Sequence, residues 1–427
     1  MNLKNYIKKS KWSGIISLGL GTIIAQSITI LIQPILTRLI TPEELGIYTF
    51  IISMATLIIP VAALKLEMLI VIEENDENAE LLTDVGIIAV IFTTLIYTLF
   101  ILVMLCIGNN SFEEIGLYSL LIPFIVLTNG LRFIFISHNN REKKYSLIAR
   151  ISVLRELTMG IMQVLSGILG GGAGGQTLGY GLSPIFGLRI QAKEYIYRYK
   201  KRDKIKISQM LFFIKKNKNH IKFLVPAQFI NSFSYALITL SVISLFSATE
   251  AGYYAITINV LGIPLVLITN NVSKVYLQKM GEDYRKGNSV WDTFLSVIKV
   301  MGSLSIIGFS VLTIIGPSLT KLVFGEGYIE SGKYISILCF MFAFRFVASS
   351  IIGSYVIFNK QYLDTLFQTI LVLSGIIIYF LSDLFNLSIY KYFELISIVY
   401  GIIYLLIIIN IGYLCKRQNT NEINNIN

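Results

Sequence analysis

The residues whose chemistry most needs explaining are cations set inside apolar runs. Arg345 stands in the middle of Cys339-Phe-Met-Phe-Ala-Phe-Arg-Phe-Val-Ala-Ser-Ser-Ile-Ile-Gly353, and a guanidinium cannot shed its charge. Held in hydrocarbon it needs an anion, a carbonyl or water. Ala348 and Ser349 follow one turn later and leave room for such a partner. Lys65, Arg132, Arg155 and Lys299 also lie within apolar stretches. For Arg132, Arg155 and Lys299 the favoured reading is snorkelling to the interface, whereas Arg345 is too deep for it. Lys65 is balanced between a structural and a functional role. The acids in these stretches are Glu67, Glu156 and Glu394, none central in a long run. An interior with more fixed cations than carboxylates suits a polyanion such as a diphosphate, whose oxygens match the planar fork of arginine.

Polar residues add a second pattern. Gln26, Thr29, Gln33 and Thr37 recur at i, i+3, i+7 and i+11, along one helical face. Gln228, Asn231, Tyr235 and Thr239 repeat those offsets in the second half. The bland reading is helix–helix hydrogen bonding, worth ~0.6 kcal/mol per contact. The sharper reading, preferred because the two stripes occupy equivalent places, is that both line a central cavity. Glu44-Leu-Gly-Ile-Tyr48 and Glu250-Ala-Gly-Tyr-Tyr254 follow the stripes in the same order, so the halves read as copies.

The elements that position these residues are membrane helices. Of 427 residues, 54% are hydrophobic and 14% charged, against about 25% charged in soluble domains. Runs such as 84–107 are long enough to cross a ~30 Å hydrocarbon layer. About twelve spans are expected, including 13–36, 45–72, 172–192 and 390–414. The fold class expected is an all-α integral membrane protein, with two pseudo-symmetric six-helix lobes around a central cavity. An N-terminal lobe would cover 1–192, a basic linker 193–221, a C-terminal lobe 222–415 and a polar tail 416–427.

Net charge is +11, but the cations sit between the spans, as orientation determinants do, and do not point to nucleic acid. Lys4, Lys8, Lys9, Lys11, Arg141, Lys143, Lys144 and eleven cations between Lys193 and Lys222 fall on one side. That asymmetry predicts cytoplasmic termini. The first span is too long for a signal-peptide core and reads as uncleaved. Segment Ile207 to Ile214 reads as an interfacial amphipathic helix near anionic headgroups.

Other features carry little chemistry. Gly170-Gly-Gly-Ala-Gly-Gly175 lacks the ending of a phosphate loop and reads as a tight turn with close helix packing. His138 and His220 fall at span ends and are not read as ligands. Cys106, Cys339 and Cys415 suggest neither a disulfide framework nor a metal site.

Several motifs nevertheless carry a resemblance. Arg38-Leu-Ile-Thr-Pro-Glu-Glu-Leu-Gly-Ile-Tyr48 resembles the "RxLxPxEfGxY" signature of Wzx-type oligosaccharide flippases, in the multidrug/oligosaccharidyl-lipid/polysaccharide exporter superfamily. Asn140-Arg-Glu-Lys-Lys-Tyr145 is similar to its "nRxkkYk" and Phe324-Gly-Glu-Gly-Tyr328 to its "lfGxxw", with Tyr328 in place of tryptophan. Ala251-Gly-Tyr-Tyr254 followed by Pro264 also fits. The resemblance implies transport of an undecaprenyl-diphosphate-linked oligosaccharide between leaflets of the bacterial cytoplasmic membrane by alternating access. It implies no covalent chemistry, no cofactor, and coupling to an H+ or Na+ gradient. Partners would be the lipid-linked oligosaccharide, the bilayer and other polysaccharide-assembly membrane proteins.

On this reading Arg345, Lys65, Arg132 and Arg38 are the diphosphate or cavity cations. Gln26, Thr29, Gln33, Gln228, Asn231 and Tyr235 are the polar cavity lining. Two alternatives stand beside it. An exporter of cationic drugs predicts membrane carboxylates, which are scarce here. A membrane glycosyltransferase or polymerase predicts acidic catalytic residues in a sizeable external loop, and the longest such loop offers Glu326 and Glu330.

Overall fold

The computed structural model describes residues 13–108, 112, 115–202 and 207–426. Lys4, Lys8, Lys9 and Lys11, and Lys204 and Lys206 of the basic linker, lie outside the described residues. The described residues are helical throughout, without strands. The chain divides into two compact units, Met1–Ser232 and Phe233–Asn427.

The first unit begins with α1 (Ser13–Leu36), α2 (Pro42–Ile58), α3 (Leu66–Ile72) and α4 (Asp76–Ile107). It continues with α5 (Leu121–Arg141), α6 (Tyr145–Ile168), α7 (Gly172–Gln191), α8 (Lys193–Tyr199) and α9 (Ile207–Lys216). The boundary between units passes through α10 (Lys218–Leu245). Each start is written locally. Thr41 caps α2 and Glu44 reaches back to the Thr41 N–H at 2.8 Å, with Pro42 just inside, a reciprocal capping box. Glycines then set how closely helices approach. A Cβ on Gly21 would stand 2.6 Å from Ala149 Cβ, and one on Gly167 2.9 Å from Leu39 Cβ, so α1 and α6 meet almost backbone to backbone. Gln163 and Gln176 exchange side-chain to backbone bonds of 3.2 and 2.9 Å across α6 and α7. The glycine run at 170–175 makes the turn, with φ +71° at Gly170 and +51° at Gly172. It then packs Gly175 onto Ser166. Tight turn and close packing are both there.

The span expected at 45–72 is interrupted. After Pro60, in the short turn Ile59–Val61, the chain leaves the helix, and Leu64 and Lys65 take φ of 53° and 60°. Proline removes one helical hydrogen bond, and the left-handed pair then re-aims the chain into α3.

The second unit holds the rest of α10, then α11 (Ala248–Pro264), α12 (Asn270–Lys286), α13 (Val290–Phe324), α14 (Ile329–Ile351), α15 (Ser354–Ile357), α16 (Gln361–Leu384) and α17 (Ile389–Ile426). Between α11 and α12 the five residues Leu265–Thr269 form a π-turn, and the Asn270 N–H reaches back to Leu265 O. At the α13–α14 crossing, a Cβ on Gly332 would lie 2.3 Å from Pro317 Cα. Hydroxyls tie helices together, Ser305 to Ala343 O at 2.8 Å and Ser397 to Ile337 O at 2.8 Å.

Eleven of the described segments are long and apolar enough to cross a membrane. A further helical pass, α7, has 20 residues, or about 30 Å. Its glycines and buried Gln176, Thr177 and Ser183 dilute its apolarity, and it packs on α5 and α6. Outward-facing Phe92, Leu95, Leu99, Ile306, Ile314 and Phe380 leave apolar belts on both units. Such belts are natural in lipid and costly in water. This is a multi-pass membrane protein.

Candidate functional site

Arg345, on α14 of the second unit, has no carboxylate partner among the described residues. Its guanidinium lies 4.7 Å from the ring centre of Tyr235 and 5.2 Å from that of Phe342. Its electrostatic neighbours are Tyr404, Tyr235 and Tyr254. Each ring face contributes ~0.5–2 kcal/mol, whereas withdrawing an ion from water costs several kcal/mol. The aromatic cage therefore orients the charge without neutralising it. The carboxylate or carbonyl expected beside an empty site is replaced by rings.

In the first unit, α5 and α6 bring Arg132, Arg155 and Glu156 into one electrostatic group with Tyr180. Arg155 is 9% exposed and ion-paired with Glu156, and its guanidinium lies 5.2 Å from the Tyr180 ring centre. It does not snorkel. Arg132 lies against Phe133 at 4.9 Å. The Nε atoms of Arg132 and Arg155 are both buried without a hydrogen-bond partner. Thr29 Oγ1 donates to Glu156 Oε2 at 3.1 Å, so the α1 stripe reaches this cluster. Two arginines thus share one carboxylate, leaving a net positive charge and two unused donors.

Lys65 stands at the break before α3. Its Nζ is 3.1 Å from Glu67 Oε1 and 3.5 Å from Gln228 Oε1, while His220 Nε2 meets its carbonyl at 3.0 Å. The structure therefore joins Lys65 to Gln228 of the second stripe. Arg38 is exposed and donates to Pro34 O at 2.8 Å. Gln26, Gln33 and Asn231 are half-buried on their helices, and Lys299 is exposed.

Two acids went unread in the sequence. Asp84, taken as the start of a span, is 3% exposed and bonded to Tyr195 and Arg202. Asp364 on α16 has a buried Oδ1 with no partner. Neither interrupts an apolar run, so the pattern gave no signal. The motif residues have visible structural roles. Arg141 donates to the carbonyls of Ile70 (3.1 Å) and Glu73 and to Asp76 (2.7 Å), pinning the α3–α4 turn. Tyr48 OH accepts from Gln163 at 3.2 Å. Tyr328 packs edge-on against Tyr253 with ring centres 6.3 Å apart, joining two motifs.

This fold is one of membrane transporters. It is similar to the lipid II flippase MurJ in its inward closed conformation, with a TM-score of 0.73 and 15% identity over 96% of this chain and 91% of that one. It also resembles an inward-facing multidrug resistance MATE family transporter of the MOP superfamily. There the TM-score is 0.61, with 12% identity, covering 96% of this chain and 98% of that one. An uncharacterized membrane protein in the cps region of Klebsiella pneumoniae is 24% identical over 400 residues, 90% of this chain and 78% of that protein. Residues 35–333 match the family described as polysaccharide biosynthesis protein, and the chain belongs to it. The fold is thus shared with a flippase and a transporter, and the family agrees with the polysaccharide-assembly resemblance of the motifs.

Proposed function

We propose that the chain moves an undecaprenyl-diphosphate-linked oligosaccharide repeat unit from the inner to the outer leaflet of a bacterial cytoplasmic membrane. It would do so by alternating access, with both termini cytoplasmic, in the assembly of a surface polysaccharide (capsule, exopolysaccharide or O-antigen) beside other membrane proteins of that assembly. The observation that carries this reading is the uncompensated positive charge inside each unit. Arg345 is held by aromatic rings and a bond to Tyr235, with no carboxylate among the described residues, and Arg132 and Arg155 share Glu156. A diphosphate supplies the missing acceptors and takes the guanidinium fork two oxygens at a time. A cationic drug has no use for these groups, which argues against the drug-exporter alternative. A polar cavity lining of Gln26, Thr29, Gln33, Gln228, Asn231 and Tyr235, with Lys65 and Arg38, belongs to the same proposal.

Transport against a gradient needs a driving ion, and we assign H+ or Na+ to that role. Asp364, with its unfilled buried oxygen, is the carboxylate best suited to take it. The primary test is binding of an undecaprenyl-diphosphate oligosaccharide to purified protein, wild type beside Arg345→Ala, at low and high salt. Weaker and less salt-sensitive binding by the variant is expected. Equal binding would move the headgroup away from Arg345, and no binding by either protein would reject this cargo class.

A further inference from the structure

Charged groups also gather at the ends of α4 and α5, where they meet α8 at the start of the linker, beside a cavity of about 1000 Å³. His138, only 3% exposed, is at the centre, its ring edge-on to Tyr195. Its Nε2 lies 3.2 Å from Glu80 Oε1 and 3.1 Å from a terminal nitrogen of Arg198. Arg198 also places Nε 2.8 Å from Glu80 Oε1 and bonds Glu142 Oε1. The guanidinium thus contacts Glu80, His138 and Glu142 together. Around this core, α4 adds Asp76, Glu77 and Asp84, and α5 adds Arg141. The turn contributes Lys144, paired with Glu142 at 2.5 Å and with Glu194 of α8, and the linker adds Lys201 and Arg202. From α3 the lining is the apolar Val71.

One nitrogen here faces two opposite demands. Arg198 has only donors and needs a lone pair on Nε2, whereas the Glu80 carboxylate has only acceptors and needs a hydrogen there. Nε2 satisfies one of them at a time. The Nδ1 atom, buried without a partner, offers no alternative.

We infer that His138 is a proton-operated latch on the linker. Neutral, its Nε2 accepts from Arg198 and holds α8 against α4 and α5. On protonation, Nε2–H donates to Glu80, a second cation appears about 3 Å from the guanidinium, and Arg198 leaves, freeing α8. Glu142, Lys144 and Arg198 do not titrate in the same range. Burial pushes the Glu142 carboxyl up, but bonds from Lys144 and Arg198 outweigh it and hold it below the usual carboxylate range. Burial opposes the charge on Lys144 and Arg198 too, yet their carboxylate partners hold both above their ordinary values. Imidazole, with an ordinary pKa of about 6.5, is the side chain that changes charge between about pH 5 and pH 8.

The test is hydrogen exchange of the full-length protein in lipid nanodiscs, corrected for intrinsic exchange rates and read on peptides spanning 193–202. From about pH 7.5 to about pH 5.5, wild-type opening of α8 is expected to rise about fivefold, because the free state binds the proton more tightly than the latched one. His138→Gln, which keeps polar contacts but does not titrate, is expected to be flat, and Arg198→Gln open at every pH. Glu80→Gln, which removes the negative charge that favours Nε2–H, is expected to shift the transition to lower pH. A flat wild-type profile would overturn the inference. So would an unchanged pH response in His138→Gln, or an unmoved midpoint in Glu80→Gln should the His138 variant not fold.

Discussion

Arg345→Lys separates charge from shape. Lysine keeps the positive charge but lacks the planar fork and stacks less well on Tyr235 and Phe342. Diphosphate-lipid affinity is expected to fall about tenfold in Arg345→Lys and further in Arg345→Ala, the scale of one charge-assisted hydrogen bond. Titration of the labelled lipid into both proteins checks the order, and equal losses would show that charge alone matters. Glu156→Gln acts oppositely in the first unit, because it removes the one carboxylate shared by Arg132 and Arg155. Anion binding there is expected to strengthen and its salt dependence to steepen, measured by the same titration at several ionic strengths. At this scale legibility followed locality. Arg345 was visible because one stretch holds both the charge and its apolar surroundings. Arg155 looked like a snorkelling side chain because Tyr180 is 25 residues away in sequence. His138 looked inert because Glu80 and Arg198 come from separate segments.

Helix boundaries were legible where side chains write them. Thr41-x-x-Glu44 and Ser247-x-x-Glu250 start α2 and α11 with a hydroxyl cap, Ser247 accepting from the Glu250 N–H at 3.2 Å while the Glu250 carboxylate takes the Tyr334 hydroxyl instead of closing the box. The repeat noticed in the sequence is thus a repeated helix start. Thr41→Ala is expected to cost about 1 kcal/mol, seen as a lower thermal midpoint of the purified protein. Close approach of helices was harder to read, since a glycine does not announce its neighbour. Gly332→Ala must displace the backbone of Pro317 and is expected to cost ~1–3 kcal/mol, whereas Gly86→Ala meets only the end of the Ile134 side chain and is expected to cost less. Comparing the two melting curves tests whether the α13–α14 crossing is as tight as it stands. The break at Leu64 and Lys65 was missed for a similar reason. Pro60 marks it, but neither left-handed residue is a glycine.

For the whole molecule, length and apolarity were enough to read an all-helical membrane protein, because a bilayer admits few other solutions for the backbone. The cation asymmetry between loops is the ground for the orientation we propose. A fluorescent protein fused after Arg417 is expected to fluoresce in bacteria and a periplasmic phosphatase fused there to stay inactive; the reverse pattern would invert the topology. The π-turn at Leu265–Thr269 makes chain length at one place unequal in its two directions. A π-turn accommodates one residue more than a regular helix does. Deleting a single residue there would let α11 run straight into α12 as a regular helix with everything after it kept in phase, whereas inserting one would rotate everything after it by about 100°. Tyr276, Met280 and Asp283, now buried on one side of α12, would be carried off their contacts together by the insertion. A scan of one-residue deletions and insertions would find this short turn to be a spare link in the chain of the second unit, forgiving of loss and intolerant of gain.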